Sequence, residues 1–383
     1  MKILAVGGGS GGHVTPVVAV LREIRKKQPH CEIRFWCDKK FAKQASELIG
    51  YFDKGIPVHT IMAGKLRRYH HVSVMRQLLW PSLVLHNIKD VFLVIAGFFQ
   101  SFIKLIIWRP DVVFTKGGYV CLPVGIAAYF LRIPLVVHDS DAYPGLTNRI
   151  LGKWATSIAT GAPLKYYNYP IEKTRYVGIP IATEFHKFSE AEQRSAKSKW
   201  GIDVNQPLLV VTGGGLGASR INDAIVFSLK NLLKITSVVL VSGNGQYDAL
   251  KSLVPLNDKN FQLHAFISNG MASLLGASDV VIARAGATTI LELASLAKPT
   301  ILIPNGRLTG GHQLKNAEVY KKANAAVVIN EEKMVENPDI LVSAVDQILS
   351  NNERTSNMSK IFSSFARPNA AKDVADMIIS SIK

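Results

Sequence analysis

Lys2–Val6 (KILAV) runs into Gly7–His13 (GGGSGGH), and Pro207–Thr212 (PLLVVT) runs into Gly213–Ala218 (GGGLGA). Each is a short apolar strand that ends in glycines and leads into a segment reading as a helix. A doubly wound α/β domain begins in this way, because the glycines let backbone N–H groups approach a phosphate at a helix N-terminus. Two such starts predict two Rossmann-like parallel-sheet domains facing a central cleft. The expected boundaries are 1–180 and 181–365, with a last helix over about 366–383 that packs back on the first domain. A chain of this design handles a nucleotide or another phosphorylated ligand.

Length and composition agree with two cores. The chain has 383 residues, nearly half of them apolar, which is long for a single domain. Its three cysteines, Cys31, Cys37 and Cys121, form no C-x-x-C pair and no zinc spacing, as expected in a reducing compartment. The first apolar run is only a strand, so no signal peptide is expected. The net charge of +17 suits nucleic acid, an anionic membrane surface or a polyanionic substrate. No RNA-binding signature, zinc finger or arginine-rich tail is present, so a membrane surface with a phosphorylated substrate leads and nucleic acid is not an expected partner. A generally basic cell proteome is the other explanation.

Strands are predicted at Glu32–Trp36, Pro57–Ile61, Asp111–Thr115, Pro134–His138 and Thr156–Ala159. A second series follows at Leu208–Thr212, Ser237–Ser242, Phe261–Ala265, Val280–Ala283 and Thr300–Ile303. The linker is expected near Gly178–Pro180, before a solvated helix over Ser189–Lys199, and Ala370–Ile382 reads as a final amphipathic helix. The loops carrying His13, Gly117 and Asp139–Asp141 all fall at carboxyl ends of strands, where ligands gather.

The segment Leu78–Trp108 is unusual. Val91–Phe99 is apolar on every face, but Lys89, Asp90 and Lys104 interrupt it sooner than the roughly 20 apolar residues of a spanning helix allow. Lys65, Arg67, Arg68, His70, His71 and Arg76 lie upstream. Trp80, Phe92, Phe98, Phe99, Phe102 and Lys104 are therefore candidate contacts with an anionic bilayer surface. A buried helix or a dimer face is the alternative.

Arg284–Glu292 (RAGATTILE) follows a strand, so its small residues open a helix whose amides can hold a diphosphate. Glu292 could accept hydrogen bonds from both hydroxyls of a ribose, or simply face solvent. In Thr309–Ala317 (TGGHQLKNA), His312 and Gln313 sit on a glycine-rich loop suited to sugar hydroxyls, or to capping and turn formation.

With these motifs in this order the chain resembles, end to end, the MurG family of N-acetylglucosamine transferases, which complete the lipid-linked peptidoglycan precursor. Gly8–His13, Gly117–Val120 with Pro123, and Gly213–Ala218 match its three glycine loops. His138 with Gly145–Asn148 falls on its acceptor-side loop, and RAGATTILE and HQLKNA match its donor motifs. The resemblance implies a GT-B fold. The donor, UDP-N-acetylglucosamine, would be bound by Gly214, Gly215, Phe266, Ile267, Arg284, Gly286, Ala287, Thr288, Thr289, Glu292, His312, Gln313 and Asn316. Of these, Phe266 and Ile267 would border the uracil, Glu292 the ribose, and His312 and Gln313 the sugar. The acceptor, an undecaprenyl-diphosphate-linked N-acetylmuramoyl-pentapeptide, would meet Ser10, Gly11, Gly12, His13, Gly117, Gly118, Tyr119, Asp141 and Asn148.

The implied reaction is an inverting single displacement by the acceptor's 4-hydroxyl. His13 is the leading candidate base, since an unperturbed imidazole titrates at about 6.5, and Asp141 is the alternative. No D-x-D motif or carboxylate cluster demands a metal, and no cofactor is expected. The implied location is the cytoplasmic face of the cell membrane, held peripherally. The chain departs from the family at three places: Gly215-Leu216 stands for a Ser-Gln pair, Ile179–Ala182 lacks an arginine, and Asp141 replaces an amide. Asp141 also fits an Asx turn or helix cap. Rival readings are a transferase for another lipid acceptor, a UDP-sugar 2-epimerase, or a non-catalytic donor-binding partner.

Overall fold

The computed structural model describes residues 1–8, 11–66, 79–141, 144–215, 217–267, 269–306 and 311–382, apart from the side chains of 11–13. The chain divides into two compact units, Met1–Ala182 with Arg367–Lys383, and Thr183–Ala366.

The first unit runs β1 (Lys2–Val6), α1 (Gly11–Lys27), β2 (Glu32–Cys37), α2 (Ala42–Phe52), β3 (Val58–Thr60), α3 (Pro81–Ile107) and β4 (Val112–Thr115). It continues with α4 (Cys121–Phe130), β5 (Leu135–Asp139), α5 (Leu146–Trp154), β6 (Ser157–Thr160) and β7 (Thr174–Tyr176). The strands pair in parallel in the order β3-β2-β1-β4-β5-β6-β7. Helices cover both faces, which is why β4 and β5 open on apolar runs and are buried throughout, polar ends included. The order reverses between β1 and β4, so the loops leaving these neighbours diverge and open a crevice at their carboxyl ends.

The second unit holds α6 (Glu190–Lys199), β8 (Leu208–Thr212), α7 (Ser219–Leu232), β9 (Ser237–Val241), α8 (Tyr247–Lys251), β10 (Phe261–His264) and α9 (Met271–Ala277). Then come β11 (Val280–Ala283), α10 (Ala287–Ser295), β12 (Thr300–Leu302), α11 (His312–Lys322), β13 (Val327–Val328), α12 (Glu331–Glu336), α13 (Ile340–Ser350) and α14 (Asn352–Ser363). Its parallel sheet has the order β10-β9-β8-β11-β12-β13, reversing between β8 and β11. The chain then returns to the first unit as α15 (Ala370–Ser380). Val374, Met377 and Ile378 of α15 enter the core around Val17, Leu21 and Ile24, each burial contributing about 1.5–3 kcal/mol. Lys27 ion-pairs with Asp376 across the same contact.

Two elements differ from expectation in instructive ways. Helix α6 starts with a capping box, Ser189 accepting from the Glu192 amide and Glu192 accepting from the Ser189 amide. It is not solvated all round, because Lys197 is buried and its Nζ donates to Asp279 Oδ2 and to the Gln206 carbonyl, each at 2.7 Å. Helix α3 runs for 27 residues through Lys89, Asp90 and Lys104, long and apolar enough by length and composition to cross a membrane. The charged residues interrupt the apolar run but not the helix.

One face of α3 is nevertheless fastened to its own domain. Leu83, Asp90, Gly97, Ser101 and Leu105 are buried at helical spacing. A Cβ on Gly97 would lie 1.9 Å from the Met62 carbonyl oxygen, so only glycine lets the backbones come this close.

Candidate functional site

In the first unit the crevice at the β1–β4 reversal is lined by two glycine loops and the turn after β5. A Cβ on Gly8 would sit 2.6 Å from Asp38 Oδ2, so the carboxylate at the end of β2 backs directly onto the first loop. Ser10 and the side chain of His13 lie outside the described residues, while Gly11, Gly12 and His13 form the opening turn of α1. In the second loop Gly117 and Gly118 have φ of +92° and +88°, a left-handed pair that L side chains resist. Tyr119 hydrogen-bonds Asp38, joining the two loops, and burial with this contact raises its phenol pKa.

Behind the second loop lies a buried polar cluster. Asn148 of α5 is 5 % exposed, and its Nδ2 is 3.1 Å from where a Gly117 Cβ would be. Its Oδ1 is buried with no hydrogen-bond partner among the described residues. The Asp139 carboxylate accepts from the Tyr169 hydroxyl at 2.8 Å and is bonded by Asn148. Burial, with Asp141 nearby, pushes its pKa up to about 7. His138 is fully buried, with Nε2 2.8 Å from the Gly178 carbonyl oxygen. A carbonyl only accepts, so Nε2 carries the proton. Burial and the neighbouring Lys116 hold the pKa of His138 well below the usual value, leaving it neutral. It supports the turn after β5 from inside the domain.

Lys116 is the residue that sequence reading missed. It directly follows β4, one position before Gly117, and is 1 % exposed. Its Nζ donates to the Ser140 hydroxyl, and burial lowers its pKa to about 8 against the opposing pull of Asp141 and Asp139. A lone lysine before two glycines reads as a loop charge; its burial follows from parallel pairing on both sides of β4.

In the second unit the reversal between β8 and β11 places the loop that begins at Gly213 beside the one that begins at Arg284. Gly214 and Gly217 have φ of +79° and +75°, and a Cβ on Gly217 would lie 2.2 Å from the Ser242 carbonyl oxygen. A Cβ on Gly215 would meet nothing within 4 Å, so the space of a side chain is left open there. Helices α10 and α11 begin at Gly286 and Gly311, and neither has a side-chain cap. A helix start that no described side chain caps can seat an anion. Gly286, Ala287, Thr288 and Thr289 are half-buried around the first of these.

Glu292 lies further along α10, and no described side chain hydrogen-bonds or ion-pairs with its carboxylate. Burial alone pushes its pKa up to about 7. It is a partly enclosed acceptor without a side-chain partner among the described residues, not a solvated surface charge. Phe266 is 52 % exposed just beyond β10, with the half-buried Ile267 beside it. His312 and Gln313 open α11, where Gln313 Oε1 accepts from the Asn305 amide at 2.9 Å.

Two expected donor contacts have other work in the structure. The Arg284 guanidinium donates to the Ile303 carbonyl at 3.1 Å and to the buried Glu331, which Arg220 also reaches at 3.3 Å. Arg284 thus ties the β11 end to the start of α12. Asn316 is 5 % exposed and donates to the Ala285 carbonyl at 3.2 Å, fixing α11 against the loop that carries Gly286.

The outer face of α3 is the remaining candidate surface. Phe92 and Phe99 are 67 % and 59 % exposed, alongside Leu85, Ile95 and Ile103. Phe98 and Phe102 instead pack on the core, Phe98 with its ring centroid 5.8 Å from that of Phe130. Lys104 also turns inward, its Nζ 3.5 Å from the Thr60 carbonyl oxygen and 5.7 Å from the Trp36 ring centroid. Trp80 is 49 % exposed at the helix start. The exposed Tyr129, Phe130 and Trp154 of α4 and α5 extend the aromatic surface. Of the upstream cations, Lys65 is exposed, and Arg67, Arg68, His70, His71 and Arg76 lie outside the described residues.

Comparison with known proteins bears on both units. Residues 3–160 match the Glycosyltransferase family 28 N-terminal domain, and residues 208–374 match its C-terminal domain. The chain is 33% identical over 386 residues, all of both chains, to a protein of Listeria welshimeri. It is 34% identical over 365 residues, 95% of each chain, to one of Geobacillus thermodenitrificans. Both are named UDP-N-acetylglucosamine–N-acetylmuramyl-(pentapeptide) pyrophosphoryl-undecaprenol N-acetylglucosamine transferase. The crystal structure of Acinetobacter baumannii MurG superposes with a TM-score of 0.71 at 23% identity, covering 99% of each chain. Two Rossmann-like parallel-sheet domains of the GT-B class are therefore the fold.

Proposed function

The chain belongs to glycosyltransferase family 28, and we propose that the parts described above carry out the family's reaction in a definite division of labour. It is a UDP-N-acetylglucosamine-dependent glycosyltransferase that transfers N-acetylglucosamine in peptidoglycan precursor synthesis. The second unit takes the donor. The observation that carries this is the start of α10, where uncapped amides and an unpartnered carboxylate, Glu292, lie on one short helix. Amides suit a diphosphate and a carboxylate suits a vicinal diol, so the pair fits a nucleoside diphosphate sugar. Phe266 and Ile267 border the base, and His312 and Gln313 the sugar.

The first unit takes the lipid-linked N-acetylmuramoyl-pentapeptide on its two glycine loops. The acceptor's 4-hydroxyl attacks the anomeric carbon, His13 takes the proton, and UDP leaves with inversion. The open helix amides stabilise the charge that develops on the leaving diphosphate, a preorganised electrostatic contribution that needs no bound metal. The exposed face of α3 with Tyr129, Phe130 and Trp154 rests on the cytoplasmic side of an anionic membrane, which also holds the acceptor; the net charge of +17 favours that surface.

The test is a product assay with radiolabelled UDP-N-acetylglucosamine and a lipid-diphosphate N-acetylmuramoyl-pentapeptide, with and without EDTA. A lipid-linked disaccharide under both conditions is expected. Donor bound without transfer would overturn the acceptor assignment, and loss with EDTA the metal-free step. In the same assay His13→Ala should depress turnover far more than donor binding; a near-normal rate would remove it as base.

A further inference from the structure

The buried ammonium of Lys116 has no part in the reaction as described, yet its setting is specific. A charge 1 % exposed persists only where opposite charge and hydrogen-bond acceptors surround it. Asp141 is its foremost counter-charge and Asp139 the next. Its Nζ donates to Ser140 Oγ, which lies 3.5 Å from His138 Nδ1, and His138 donates to the Gly178 carbonyl. Lys116 directly follows β4, whereas Asp139 ends β5, the next strand in the sheet, and Ser140 and Asp141 directly follow it. The ammonium therefore links the base of the Gly117–Gly118 loop to the turn that carries Asp141. Cys121 and His138 also lie within electrostatic reach of the ammonium, whereas Tyr167 and Tyr169, with Tyr176 and Arg149 beside them, face Asp139.

We propose that Lys116 and Asp141 act as one charge-balanced unit that positions the acceptor-side turn, which makes Asp141 a positioning residue and not the general base. The argument rests on the acceptor reading of the first unit. A carboxylate that balances a buried ammonium has its charge committed; taking up a proton in each turnover would leave the ammonium with Asp139 alone. Asp139 cannot carry the balance, because its carboxyl is itself half-protonated near pH 7. Tyr167 holds the backbone of the same turn, its hydroxyl donating to the Asp141 carbonyl at 2.6 Å.

Lys116→Met, Asp141→Asn and the double variant of the full chain test this. Each single change leaves an uncompensated charge and should lower kcat/KM for the acceptor about ten-fold, with donor KM unchanged. The double variant removes both charges and should return to within about three-fold of the parent protein. The parent's turnover should fall above about pH 8 as the ammonium discharges, and the double variant should lose that limb. A double variant no better than the worse single would overturn the proposal and return Asp141 to the role of base; so would singles that behave like the parent. Thermal unfolding of the same four proteins without acceptor should show the same non-additivity. That readout separates the proposal from the functional reading, since it stands or falls even if the parent makes no disaccharide. A double variant that folds where Lys116→Met does not supports the pairing, and one that also fails to fold refutes it.

Discussion

Beside the strand-order reversal of the first sheet, which lies between β1 and β4, the carboxyl ends of β4 and β5 deliver a buried ammonium, two carboxylates and a neutral histidine. At the corresponding reversal of the second sheet, β8 and β11 deliver open helix amides and one unpaired carboxylate. The topology is the same, and in both units it fixes where a ligand goes. What goes there is decided by a few side chains at the strand ends. The second unit keeps its permanent cation, Arg284, tied to Glu331 and offers backbone dipoles, which cost no reorganisation when a diphosphate arrives. The first unit invests its buried charges in holding a turn, which suits an acceptor that has to be aligned for attack.

The sharpest way to break this contrast is to release the sequestered cation. Arg284→Met leaves Glu331 buried with only the more distant Arg220, and losing one partner of a buried ion pair costs about 3–5 kcal/mol. Denaturant unfolding of the variant should show that loss. If stability is unchanged while donor affinity collapses, Arg284 is a diphosphate ligand and the contrast fails. Next in size is Glu292→Ala. Two hydrogen bonds from ribose hydroxyls to a charged acceptor are worth about 3 kcal/mol together, so calorimetry should record donor affinity lower by roughly a hundred-fold. Unchanged affinity would remove the ribose assignment.

The same contrast explains what could be read without coordinates. Both glycine-ended strands, the alternation of strands and helices and the amphipathic α15 follow from local pattern, because apolar runs and glycine punctuation report on backbone geometry. The partners of Arg284 and Lys116 do not. Glu331 lies 47 residues from Arg284, and Ser140 lies 24 from Lys116, each on another element. No spacing rule links such pairs; only the sheet order brings them together. The resemblance places Asn316 among the donor contacts, and no local pattern reveals that its amide also donates to the Ala285 carbonyl, 31 residues away on the preceding loop. In α3, an apolar sequence on all faces hid the helical stripe that is buried, since Asp90 and Ser101 lie on the inner side.

That inner stripe sharpens the membrane prediction. Phe92→Ser with Phe99→Ser removes two exposed rings from the outer face, and flotation with anionic vesicles should show binding weaker by about thirty-fold with unfolding unchanged. Phe98→Ser should act in the opposite way, lowering stability through lost packing on Phe130 and the core while sparing flotation of the folded fraction. Equal effects of the two sets would mean that α3 does not present a distinct outer face.

The smallest effect concerns protons on Glu292, and its sign is fixed by the direction of the shift. Burial raises this carboxyl from 4.5 to about 7, so between these values the folded protein holds a proton that the unfolded chain has released. Its contribution to stability is therefore greatest at the acid end of that window and declines as pH rises through about 7. Donor binding should run the other way. A ribose diol donates to the ionised form, so affinity should rise by about ten-fold from pH 6 to pH 8 and release a proton that calorimetry in buffers of different ionisation enthalpy can count. Glu292→Gln should flatten both profiles, being more stable than the parent protein at pH 8 while binding donor more weakly. A parent protein whose donor affinity ignores pH across this range would place the ribose elsewhere and leave α10 with its open amides alone.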